Sequence, residues 1–275
     1  MKRAVNIMST GNSFEIRKEK VNLTKDGNVG IITLNSPQSM NALDDVLFAE
    51  LSEVTDILLD DPSIGVIMLT GTGNAFCAGG DLKKLDEGMS ALEGYTYMKG
   101  FHPWVARFMN SEKLTVAAVN GFAIGAGFCI AMMADMIFAS ETAKFGMAFG
   151  NVGLIPDLAG LYTLPRVVGL QRAKELVFTC RNISAQQAMD LGIVTEVTAP
   201  DQLMEKTLAM AARLASGPRA ANKLAKMLLN SSMNMPLDQL LAAEAATQAL
   251  CFQTKDHRVA TQAFFKKENP VFIGE

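Results

Sequence analysis

The chain has 275 residues, enough to bury a sizeable core as one large domain or two small ones. With 49% hydrophobic and 19% charged residues it reads as soluble, and a formal charge of −3 removes the electrostatic case for nucleic acid. Its four cysteines, at 77, 129, 180 and 251, lack metal-like spacing and suit reduced thiols in a cytoplasmic protein.

Residues 1–8 begin basic but lack a sufficient apolar stretch for a signal peptide, and residues 1–13 read as a loose polar segment. Residues 14–34 read as two strands around the Lys25-Asp26-Gly27-Asn28 turn, ended by Asn35-Ser36-Pro37. Asn41 or Asp44 caps a helix to about residue 59, with Val46, Leu47, Leu51, Val54 and Leu58 at helical spacing. Residues 64–70 are an apolar run of strand length. A turn-rich stretch, 71–88, leads into a helix carrying Tyr95, Tyr97, Met98, Phe101, Trp104 and Phe108.

Residues 114–119 are again apolar and strand-like. A turn at Asn120-Gly121 follows, and the small-residue run 121–127 opens into an apolar helix over 128–134. The span 116–139 imitates a membrane segment, but its glycines, Asn120 and Asp135 indicate a buried strand–turn–helix–strand. A strand near 136–139 precedes helical pieces at 159–168, 171–179 and 185–191 and a short strand at 193–197. From residue 201 the pattern is helical throughout: 201–215, 218–230, 236–253 and 257–267, punctuated by Gly217-Pro218 and Met235-Pro236.

A strand running through a small-residue turn into a helix leaves backbone N–H groups unpaired at the helix start. Those donors suit an anion or a developing oxyanion, and small residues let a ligand approach the backbone. A second small-residue turn, Phe76-Cys77-Ala78-Gly79-Gly80-Asp81-Leu82, follows the strand at 64–70. Two such turns supply two N–H donors for one carbonyl oxygen.

Asn41-Ala42-Leu43, the 76–82 turn, the run from Ala118 to Gly127, and Ile183-Ser184-Ala185 with Gly192-Ile193-Val194 occur in an order and spacing that resembles the enoyl-CoA hydratase/isomerase (crotonase) superfamily. The resemblance covers about residues 14–272. It implies an α/β fold, a crotonase-like spiral of repeated β-β-α units over residues 14–200. A C-terminal helical region, 201–275, would cover the active site and build a homotrimer or dimer of trimers. The implied partner is an acyl-CoA thioester, with coenzyme A entering as part of the substrate and no separate cofactor, metal, nucleic acid or membrane.

Carried over residue by residue, the resemblance puts the oxyanion-hole donors on Gly80 and Ala126. Alanine at 126 stands where glycine is common in the family, so its conformation must suit an alanine. The family's two hydratase glutamates fall on Cys129 and Phe149, so both are missing, although hydration needs one group to activate water and one to handle the α-proton. The position that family isomerases often fill with a carboxylate falls on Asp157. A single carboxylate suits a proton-shuttling isomerase, its pKa raised by an apolar pocket and lowered by a helix start. On local sequence alone, Asp157 reads as an N-cap. Trp104, Cys129, Phe149 and Leu158 are candidate acyl-pocket residues, with ordinary core as the other reading. The coenzyme A candidates are the Ala42 and Ala78 backbones with Asp81, Leu82, Lys83 and Lys267, where a solvated face is the other reading for the lysines.

His102 and His257 lack a metal-like or triad-like setting and read as partly exposed helix histidines. The expected reaction is conversion of a 3-enoyl-CoA to a 2-enoyl-CoA, with Asp157 removing the α-proton and returning it at the γ-carbon. The alternatives are other enolate chemistry (weak hydratase, ring isomerase, dehalogenase or hydrolase), a silent acyl-CoA-binding subunit, and an RNA-binding role.

Overall fold

From residue 66 to residue 146 successive strands alternate between two sheets, and that alternation decides where the site lies. The computed structural model describes residues 6–10, 13–86 and 88–274. Strands β1 (Asn6–Thr10), β2 (Ser13–Arg17), β3 (Val21–Asp26) and β4 (Val29–Leu34) form an antiparallel meander. Two departures from expectation fall here. Asn6–Thr10, inside the segment expected to be loose, pairs with β2, whereas residues 1–5 and 11–12 lie outside the described residues. The stretch expected as two strands holds three, because the chain turns at residues 18–20. That turn has no glycine or proline. It is held from a distance, by the Glu50 carboxylate accepting the N–H groups of Glu19, Lys20 and Val21.

Glu50 belongs to α1 (Asp45–Asp60), which Asp44 caps by accepting the Leu47 N–H. Then come β5 (Val66–Gly71), β6 (Ala75–Cys77), α2 (Leu82–Asp86) and α3 (Ala91–Met109). Next are β7 (Leu114–Val119), β8 (Phe122–Ile124) and α4 (Ala126–Met132). The third turn comprises β9 (Met136–Ser140), β10 (Lys144–Gly146), α5 (Gly160–Val168) and α6 (Leu170–Thr179). β11 (Ile183–Ser184), α7 (Ala185–Asp190) and β12 (Glu196–Thr198) follow, then α8 (Leu203–Ala215), α9 (Arg219–Ser232), α10 (Leu237–Cys251) and α11 (Lys255–Lys266).

Among the described residues the large sheet runs β1-β2-β3-β4-β5-β7-β9-β12 and the small one β11-β10-β8-β6. Each of the pairs β5–β6, β7–β8 and β9–β10 sends one strand to the large sheet and the next to the small one, then adds a helix. This is the repeated β-β-α winding expected from the sequence. The central parallel strands are apolar on both faces, as strands buried on both sides must be. Period-two alternation splits them: Ile67, Leu69, Ala117 and Val119 join the core shared with α1, α3 and α4. Val66, Met68, Val116 and Ala118 face Leu203, Ala211 and Ala215 of α8 instead. Lys226 of α9 is buried and donates to Asp135, Ser111 Oγ and the Lys113 carbonyl, tying the C-terminal helices to the β7–α4–β9 unit. Among the described residues no helix is long and apolar enough to cross a membrane.

Candidate active site

β6 and β8 are parallel neighbours, with Cys77 opposite Ala123. β10 runs parallel to β8 on its other side. The carboxyl ends of all three strands therefore open at one edge, where loops after parallel strands gather ligand contacts. The chain after β6 supplies Gly79 and Gly80, that after β8 Gly125 and Ala126, and that after β10 Phe149 and Asp157.

The first two turns touch. Gly79 has φ of +107°, and a Cβ there would lie 3.0 Å from the Ile124 carbonyl oxygen and 3.8 Å from the Ala126 nitrogen. Gly127 allows the other close approach: a side chain on it would run into the Cys77 carbonyl, so α4 sits directly on β6. The Asn41 side chain anchors the neighbouring loop. Its amide nitrogen donates to the Thr72 and Ala75 carbonyls, and its oxygen accepts the Ser36 N–H. That loop is stitched to the Gly79–Gly80 turn by Leu43 N–H to Gly79 O and Asp81 N–H to Leu43 O.

In this parallel bridge the Gly80 N–H is left over, and neither it nor the Ala126 N–H finds an acceptor among the described residues. Ala126 is the first residue of α4, where an N–H is unpaired by construction. The unusual backbone falls one residue earlier, on Gly125 (φ 53°, ψ −121°), so alanine at 126 needs only helical angles. Gly80 is exposed and Ala126 buried, so the pair sits between surface and core.

Asp157 is not a helix cap. The cap of α5 is Ala159, with φ of 62°, and it follows Leu158 at φ 42°. Two successive non-glycine residues in the left-handed region are costly, at about 1–3 kcal/mol each. They turn the chain so that the Asp157 carbonyl accepts the Gly160 N–H, and no side chain caps the helix. The Asp157 Oδ1 is buried with no hydrogen-bond partner. Burial pushes the carboxyl up from 3.8 to about 6, outweighing the lowering by its own backbone N–H.

A cavity of about 250 Å³ opens at Asp157. One wall is the α3 stripe Met98, Phe101, His102 and Val105; the other is the chain from Pro156 to Tyr162. Leu158 lines it, as expected. Trp104 does not: it stacks on Phe108 in the core, and its indole N–H donates to Thr55 Oγ1 at 3.1 Å. Cys129 lies behind the cavity wall, its Sγ 3.9 Å from Met147 Sδ; burial first, then the Asp157 charge, push its thiol pKa well up, so it stays neutral. Phe149 is nearly buried, its ring edge against Gly125. His102, read from sequence as an ordinary surface histidine, faces this cavity. The signal was available in the i, i+3, i+4, i+7 stripe 98-101-102-105, whose only polar member it is.

Hydrogen bonding joins the loops carrying Ala42 and Ala78, Ala78 N–H donating to Met40 O. Asp81 accepts the Lys83 N–H, Leu82 is exposed, and Lys84 pairs with Asp45. Lys267 ends α11 in a left-handed conformation, and no contact among the described residues brings it to this loop pair. Also among the described residues, no His/Cys/Asp/Glu group is placed to hold a metal ion.

Comparison with known proteins defines the class. The enoyl-CoA hydratase/isomerase family model matches residues 24–275. A protein from Rhizobium meliloti named probable enoyl-CoA hydratase is 39% identical, covering 90% of this chain and 95% of its own. The Escherichia coli protein named 1,2-epoxyphenylacetyl-CoA isomerase is 36% identical, covering 89% and 94%. The crystal structure of an enoyl-CoA hydratase/isomerase from Cupriavidus metallidurans superposes with a TM-score of 0.89 at 36% identity, covering 93% and 97%. The chain belongs to the enoyl-CoA hydratase/isomerase family.

Proposed function

We propose that this enzyme moves a double bond in an acyl-CoA thioester, converting 3-enoyl-CoA to 2-enoyl-CoA. The observation that carries the reading is Asp157: a carboxylate with an unpartnered buried oxygen and a pKa near 6, in a cavity with no second carboxylate among the described residues that line it. A base poised near working pH suits removal of an α-proton. The thioester oxygen would accept from Gly80 and Ala126 N–H, whose preorganised dipoles hold the enolate charge; such donors contribute about 3–4 kcal/mol each. The proton is then returned at the γ-carbon. Cys129 and Phe149, at the positions where the family resemblance places hydratase glutamates, offer neither a base nor a water-holding group. Coenzyme A is assigned to the joined loops of Ala42 and Ala78, with Asp81, Leu82 and Lys83 beside them. Exposed Leu237, Leu241, Phe264 and Phe265 offer an apolar face that a homotrimer or dimer of trimers would cover.

A second reading, isomerisation on a ring-bearing acyl-CoA, draws support from the aromatic side chains near Asp157 (Phe101, Tyr162) and from the Escherichia coli relative's name. The test is product analysis after incubation with 3-enoyl-CoA and 2-enoyl-CoA of several chain lengths. Conversion of the 3-enoyl substrate without a 3-hydroxyacyl product supports the reading. Conversion of neither, with acyl-CoA still bound, contradicts it.

A further inference from the structure

Asp157 shares its cavity with a second group able to carry a proton. Among the described lining residues, the side chains able to hold or release a proton are Asp157, His102 and Tyr162. Tyr162 is committed elsewhere: its hydroxyl accepts from Asn234 Nδ2 at 2.9 Å, and the Arg166 guanidinium lies 3.4 Å over its ring. His102 is not so engaged. It projects from α3 among Met98, Phe101 and Val105, on the wall facing Asp157, and is itself exposed at the cavity mouth. One proton carrier is thus half-buried, with a buried oxygen, and its counterpart is exposed, both lining one cavity.

We propose that His102 is a catalytic residue, delivering from the wall opposite Asp157 the proton that the γ-carbon gains. This rests on the isomerase reading for the first step and specifies the second. The Asp157 carboxylate takes a proton from C2, and the C–H electrons form a dienolate whose charge rests on the thioester oxygen. C4 then takes a proton from the His102 imidazolium, and the dienolate electrons restore the carbonyl and form the C2=C3 bond. Asp157 ends protonated and His102 neutral. Water at the cavity mouth carries one proton from Asp157 back to His102, so both groups regain their starting states.

The test uses the full-length enzyme and a 3-enoyl-CoA deuterated at C2, with His102→Gln and His102→Ala beside wild type. The wild-type product is expected to carry ordinary hydrogen at C4, drawn from solvent. His102→Gln is expected to slow isomerisation by about 100-fold or more, the lower range for a lost general acid. It should still wash the C2 label out into water at close to the wild-type rate. His102→Ala should recover activity with added imidazole, a rescue that simple repacking would not show. Transfer of the C2 deuterium to C4, or a His102→Gln rate equal to wild type, overturns the role of His102 while leaving Asp157 in place. A wild-type enzyme that neither exchanges C2 nor isomerises overturns the isomerase reading, and this proposal with it.

Discussion

Gly160 lies so close to Cys129 that a methyl group on it would fall 2.5 Å from the Cys129 Sγ. Cys129 is fully buried and cannot swing aside, so this contact sets how near α5 approaches α4 and with it the placement of Asp157. Gly160→Ala is expected to cost about 1–3 kcal/mol through overpacking. Cys129→Ala leaves its Cβ 3.7 Å from the new methyl group, ordinary contact distance. The double variant should therefore recover most of the loss, a coupling that denaturant midpoints of the four proteins in the cycle would measure.

Asp157 makes stability depend on pH. Its folded pKa, about 6, lies above the ordinary 3.8, so between those values the folded state holds more protons than the unfolded. Stability then falls as pH rises through that window, by up to about 3 kcal/mol once the carboxyl is ionised. Asp157→Asn should remove this loss. It is expected to melt higher than wild type at pH 8 and nearly level with it at pH 3.5, which thermal scans at the two pH values would show.

Ala126 begins α4, where proline is tolerated because the missing N–H is unpaired anyway. Ala126→Pro deletes one proposed oxyanion donor and leaves the helix ladder whole. The expected result is a fall in kcat of about 100- to 1000-fold. Circular dichroism should show unchanged helix content, separating lost catalysis from lost fold.

Asn41 is completely buried and satisfies three backbone groups at a left-handed φ of 56°. Asn41→Ala strands the Ser36 N–H and the Thr72 carbonyl, while the Ala75 carbonyl keeps the bond from Asn120 Nδ2; each group left buried and unpaired costs about 1–3 kcal/mol. A clear drop in unfolding midpoint is expected, with weaker acyl-CoA binding because this loop carries Ala42.

What was legible in the sequence followed from local rules. β7 and the four C-terminal helices fall within a few residues of their expected bounds, because apolar runs and Gly-Pro or X-Pro breaks mark them. The short last strand was displaced, to Glu196–Thr198, because its apolar start, Ile193-Val194, packs into the core before pairing begins. The turn at 18–20 was hidden because a carboxylate on α1, some 30 residues away, holds it. The two donor turns were visible as small-residue runs. Trp104 falls in the core and not in the cavity, because which face of α3 meets the 156–162 segment is decided by long-range packing; His102 is the exposed helix histidine expected, and its place on the cavity lining follows from the same packing. Asp157, which reads locally as a cap, does not hold that position because the left-handed pair Leu158–Ala159 delays the helix start to Gly160.

The account stands most directly on one comparison: turnover of saturating 3-enoyl-CoA by wild type and by Asp157→Asn, with acyl-CoA affinity measured on both. A fall in kcat of about 100- to 10,000-fold with unchanged affinity is the predicted result, since the amide cannot take the α-proton. An Asp157→Asn enzyme that isomerises at the wild-type rate would contradict a catalytic Asp157, because the only carboxylate among the described residues lining the cavity would then have no part in the chemistry.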